Sequence, residues 1–204
     1  MNKALMLLGL LGHLLCWYCD PLLTKTPSGH FRGEDLKDSA KMAAIFAGMP
    51  PEFPLRSALL GVAAMTAELF AYLGLARWMG TFSAPAAAVM YVSTILFFMP
   101  GVAHHVICGV VEWLYLRLDR TEEGQALVLE LFKKTSVTMI VCYLGMFAVC
   151  LALFFAVVTG RTDLPRWAAA FTELPIFLAL TPLRPVGQGN LAGAIMFFCL
   201  LLLM

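Results

Sequence analysis

The chain has 204 residues, of which 61% are apolar and only 13% charged, with a mean hydropathy of +0.83 and a formal net charge of +1. Soluble domains run near 45–50% apolar and about 25% charged, so this composition excludes an ordinary soluble domain and points to a polytopic membrane protein. The near-zero net charge removes the basic face that nucleic-acid binding needs.

The N-terminal run MNKALMLLGLLGHLLCWYCDP has one lysine and an apolar stretch but no small-x-small cleavage site before Asp20. It reads as a retained first span over about 3–19, anchored at an interface by Trp17 and Tyr18 and ended by Pro21. Residues 20–56 form the longest polar loop. Within it Met42, Ile45, Phe46 and Met49 fall at i, i+3, i+4, i+7, which predicts a short helix lying on the membrane surface and stopped by Pro50 and Pro51.

The second span covers about 57–79 and the third about 85–116. At 1.5 Å per residue the third would be roughly 48 Å long, well beyond the hydrocarbon core, so it must tilt, protrude or kink. Pro100-Gly101 supplies the kink site. Residues 117–136 are charged and helix-prone, a solvent-exposed connector. The fourth span covers about 137–159, GRTDLPR is a turn, and the fifth and sixth cover about 167–183 and 191–204. The fold expected is therefore all-α, one transmembrane bundle of about six helices.

Positive residues sort unevenly. One side carries Lys3, Arg77, Arg161 and Arg166, whereas the side bearing loops 20–56 and 117–136 carries ten. Positive residues stay cytoplasmic, so both termini should face outward across the cell membrane. The six cysteines lie mostly in apolar runs and read as small buried residues rather than a disulfide framework.

Ionisable groups at bilayer depth cost about 2.5–3.5 kcal/mol each on insertion scales and so need a partner or a cavity. His13 and Glu68 sit near the midplane by helical rise. His105, Cys108 and Glu112 share one helix face, and His104 is rotated about 100° away. His13, Glu68 and His105 are the candidate catalytic acid–base groups, because imidazole and carboxyl groups in a low-dielectric cleft can move protons. Asp20, Tyr72, His104, Glu112 and Glu173 are candidate substrate-binding groups. Pro175 is expected to bend the fifth span and free a carbonyl near Phe171, and Asn190 to cap the sixth.

HExxH spacing is absent, so no metal site is assigned, and a haem held between His13 and His104 or His105 stays open. No cofactor is identified. Three functions stay open: a lipid-like or small hydrophobic ligand bound in a His/Glu-lined cavity, with acid–base chemistry; a small proton-coupled transporter or its accessory subunit; and a structural partner, in a homo-oligomer or a larger membrane complex.

The order LLGLLGHLLCWYCDP, PLRSALLGVAAMTAELFAYLGL, ILFFMPGVAHH, LPRWAAAFTELPIFLAL and GNLAGAIMFF resembles the small bacterial integral membrane proteins of domain-of-unknown-function family 6796. The resemblance implies the architecture of a bacterial inner-membrane protein over nearly the whole chain and carries no activity.

Overall fold

The computed structural model describes residues 2–203. Most of the chain is helical. Helix α1 spans Lys3–Thr24, and Asn2 caps it by accepting from the Ala4 N–H at 2.9 Å. Pro21 does not end this helix. One further turn follows, closed by Thr24, whose hydroxyl donates to the Asp20 carbonyl, and by the Lys25 N–H, which donates to the Pro21 carbonyl. A two-residue hairpin comes next, with β1 (Lys25–Thr26) antiparallel to β2 (Gly29–His30). A 3-10 turn follows at Gly33–Lys37, then α2 at Ser39–Ile45, capped by Asp38.

Helix α3 spans Glu52–Met79 with Pro54 in its first turn, where no backbone donor is needed. Helix α4 spans Ala84–Arg117, capped by Ser83, and runs through Pro100 as one helix of 34 residues. Helix α5 spans Glu122–Thr135. Thr121 caps it, Glu122 and Glu123 sit in its first turn, and Lys133 and Lys134 in its last, the arrangement a helix dipole favours. Helix α6 spans Val137–Val158.

The expected fifth span is broken. Arg166–Phe171 is 3-10, Thr172 is extended, and α7 spans only Glu173–Leu180. Pro175 therefore lies in a first helical turn rather than mid-helix, and it bends nothing. A 3-10 turn at Thr181–Leu183 leads to α8, Gln188–Leu203. That helix begins three residues before the expected start, which moves Asn190 from a cap into the first turn.

Neighbouring segments pack in the ring order α6, α4, α3, α1, α8, α7 and back to α6. Glycines mark the close approaches. A Cβ at Gly12 would strike Glu68 and the Ala64 carbonyl, and one at Gly9 would strike Ala71, so α1 and α3 are antiparallel. The chain passes along the bundle six times, which puts the start of α1 and the end of α8 at one end and the 25–51 and 118–136 segments at the other. Four of the passes (α1, α3, α4 and α6) are long and apolar enough to cross a membrane. Large apolar side chains such as Leu59, Leu144 and Leu202 cover the outside of the bundle.

A second core sits at the loop end. Met42, Phe46 and Met49 are buried against Val111, Tyr115 and Leu116 of α4 and Val128 of α5. Phe46 packs edge-on to both Phe31 and Tyr115. The apolar stripe expected to lie on the membrane is thus spent on protein. The extra length of α4 is explained by the same packing: its last turns serve as a post under the loop. The loop is tied down further by Thr26 and Ser28, whose hydroxyls donate to the carbonyls of Ile45 and Ala47. Gln125 of the connector donates to the Leu36 carbonyl at 2.7 Å and is buried, so the connector is not exposed on every face.

Candidate functional site

The two histidines of α4 part company, as a 100° rotation requires. His105 Nε2 lies 3.3 Å from Ser57 Oγ and 3.1 Å from the Ser57 carbonyl, facing α3. His104 Nδ1 lies 3.2 Å from Thr138 Oγ1 on α6, and its Nε2 is 3.5 Å from Cys108 Sγ one turn along. The His105 ring is seated by what the opposite helix lacks. A Cβ at Gly61 would come within 2.2 Å of the His105 ring.

His13 follows the same rule on the other side of α1. Its ring sits on Gly193 of α8, where a Cβ would come within 2.3 Å. Nδ1 is 3.3 Å from Asn190 Oδ1 and 3.6 Å from Glu68 Oε1, and Nε2 is 3.2 Å from Tyr72 Oη. Tyr72 donates its hydroxyl proton to Glu173 Oε2, which also accepts from the Cys150 thiol at 3.3 Å. At the other end, Asn190 Nδ2 donates to Asp20 Oδ2 at 3.0 Å. An unbroken polar line thus runs Asp20, Asn190, His13, Tyr72, Glu173, Cys150, drawn from α1, α8, α3, α7 and α6. His13, Glu68, Tyr72 and Glu173 are all buried.

This line borders a cavity of about 810 Å³. Its inner wall includes His13, Glu68, His104, His105 and Glu173, with Met65, Phe97, Met146 and Phe177 as apolar surface. Asp20 lies further out, and exposed His30, Arg32, Glu34 and Arg184 line the mouth at the loop end. Glu68 Oε1 is buried without a hydrogen-bond partner. Seven of the eight residues singled out in the sequence line the cavity or, like Tyr72, bond to residues that do. The eighth, Glu112, does not: it is buried away from the cavity with Oε2 unpartnered.

Two residues were missed by sequence reasoning. Asn190 resembled a helix cap, and only the packing of α8 on α1 turns its amide into the link between Asp20 and His13. Cys150 resembled core filling. The fifth span, expected over 167–183 with a bend at Pro175, is instead broken at Thr172. That break starts α7 at Glu173 and delivers its carboxyl to Tyr72.

Both nitrogens of His13 face Asn190 and Tyr72, His105 faces Ser57 and His104 faces Thr138, so each imidazole considered for a haem is turned to a protein partner. Among the described residues no three His, Cys, Asp or Glu side chains are grouped to hold a metal ion. The six cysteines are unpaired thiols.

No curated protein and no solved structure matches the chain. The model of the "Family of unknown function (DUF6796)" matches residues 1–204. The chain therefore belongs to that family of unknown function, as the order of its apolar segments suggested.

Proposed function

We propose that this is a multi-pass protein of the cell membrane that binds a lipid-like or small hydrophobic ligand in its polar interior cavity and performs acid–base chemistry on it. The reading places six spans in the bilayer, with the broken 166–183 segment as the fifth, a bend in α4 at Pro100, both termini outside and the cavity mouth in the cytoplasm. The supporting observation is convergence. Side chains from α1, α3, α4, α7 and α8 that hydrocarbon would penalise singly all border one space.

The walls suggest the kind of ligand. Methionine and phenylalanine surface receives an apolar body. The unpartnered Glu68 Oε1 calls for a hydrogen-bond donor on the ligand, because a buried acceptor left unmade is costly. Membrane lipids are the nearest source of such amphiphiles.

The test is native mass spectrometry of the full chain purified in mild detergent. A bound small molecule is expected, with occupancy falling roughly tenfold or more in Glu68→Leu, since a hydrogen bond to a charged group is worth about 1.5–3 kcal/mol. Protein that is free of ligand, and remains so when membrane lipid extract is added back, overturns the reading.

A further inference from the structure

The polar line admits a count of protons. Tyr72 has a single hydroxyl proton and gives it to Glu173 Oε2, so toward His13 Nε2 its oxygen can only accept. Asn190 gives its amide protons toward Asp20, so the atom facing His13 Nδ1 is a carbonyl oxygen, which also can only accept. In this arrangement both ring nitrogens donate, which makes His13 an imidazolium with Glu68 Oε1 3.6 Å from Nδ1. A second arrangement satisfies the same heavy atoms. Glu173 is protonated and donates to Tyr72 Oη, Tyr72 donates to His13 Nε2, and His13 is neutral with its proton on Nδ1.

We propose that His13, Tyr72 and Glu173 form a proton relay that carries one proton between the His13 ring and the Glu173 carboxyl group, two sites on the wall of the cavity. In the transfer the proton on Nε2 passes to Tyr72 Oη while the tyrosine's own proton passes to Glu173 Oε2. The imidazolium becomes a neutral imidazole, the carboxylate becomes a carboxylic acid, and Tyr72 is a phenol before and after. One positive and one negative charge cancel, and nothing else is consumed.

The surroundings favour a relay over two independent groups. Helix α4 presents the rings of Phe97 and Phe98 to Tyr72, and its histidines are engaged with Ser57 and Thr138. Helix α8 adds Asn190 and the Phe197 ring beside His13. Helix α6 adds the Cys150 thiol, a donor to the same Glu173 oxygen in either arrangement. Helix α3 adds Glu68, and α1 adds Asp20, which reaches His13 only through Asn190. Among the described residues, the Tyr72 hydroxyl is the protein group that hydrogen-bonds to both His13 and Glu173. This deepens the acid–base part of the proposed function, but its test needs no ligand, so either can fail without the other.

The test is ¹⁵N-histidine magnetic resonance on the full chain in nanodiscs, with His13 assigned by loss of its signals in His13→Asn. The Nε2 shift is expected between the protonated and bare values, alongside an infrared carbonyl band of a protonated carboxyl that disappears in Glu173→Gln. Tyr72→Phe keeps the ring packing and removes the relay oxygen. It should move Nε2 to a limiting value and displace the carboxyl band. A Nε2 shift at one limiting value in the wild type, unmoved in Tyr72→Phe, overturns the relay. Where Tyr72→Phe does not accumulate, Glu173→Gln is read in the same way. Should neither fold, the wild type decides: an intermediate Nε2 shift that moves with temperature supports the relay, and a fixed limiting one overturns it.

Discussion

A glycine facing a histidine is the recurring unit of this interior. Gly61 makes room for His105 and Gly193 for His13, so the imidazoles reach polar partners on or beyond the neighbouring helix. Gly61→Ala should cost about 1–3 kcal/mol, the usual range for overpacking, measured by unfolding in mild detergent. His105→Ala in the same chain should recover part of that loss, because the clash is with the ring itself. Full additivity of the two changes would show that the contact does not matter.

Asp35 in the 25–51 loop is a residue-scale case of a different kind. Its carboxylate accepts from the Arg32 N–H at 2.8 Å, and Lys41 Nζ stands 2.5 Å away. The Lys41 contact holds Asp35 below the usual carboxylate range and raises Lys41. Because the folded value is depressed, the stabilisation is complete above the unfolded value of about 3.9 and fades as pH falls through the lower folded one. Amide protection across residues 33–41, followed by hydrogen exchange, should therefore drop only below about pH 4. In Lys41→Ala the drop should begin at higher pH. An identical profile in the two proteins would remove the ion pair from the account.

At the scale of elements, the loop end behaves as a small soluble layer. Helices α2 and α5 and the last turns of α4 share the Phe46–Tyr115 core, and Gln125 holds the 3-10 turn at Leu36. The amphipathic signature of Met42, Ile45, Phe46 and Met49 was legible in the sequence. What it faces was not, because a lipid surface and a protein core reward the same periodicity. Thiol labelling separates the faces of α5. Glu123→Cys, on the exposed face, should react faster than Gln125→Cys, whose side chain is buried. Both should stay protected from an impermeant reagent in intact cells and become reactive on permeabilisation. Labelling of Glu123→Cys from outside would invert the proposed orientation.

Across the whole molecule, six passes enclose one polar interior, and the least regular pass supplies Glu173 to it. A continuous fifth helix would have satisfied the backbone more simply. The break at Thr172 instead brings Glu173, at the first position of α7, against Tyr72 and Cys150. At the break itself Thr172 is buried, its hydroxyl donating to the Ala169 carbonyl, and the segment packs against α6 and α8, which is where irregular backbone is tolerated.

The amino-acid sequence alone determined that the chain belongs in a membrane, which stretches form its long apolar helices, and which side chains could not be left in hydrocarbon. Each of these follows from local composition, from the length of each apolar run, and from the cost of an unpartnered charge. Only the tertiary structure decided that Asn190 links Asp20 to His13, that Glu112 stands apart, and that Gly61 and Gly193 are seats for imidazole rings. Those roles depend on what a distant helix places opposite, and no local pattern records which face of one helix meets which face of another.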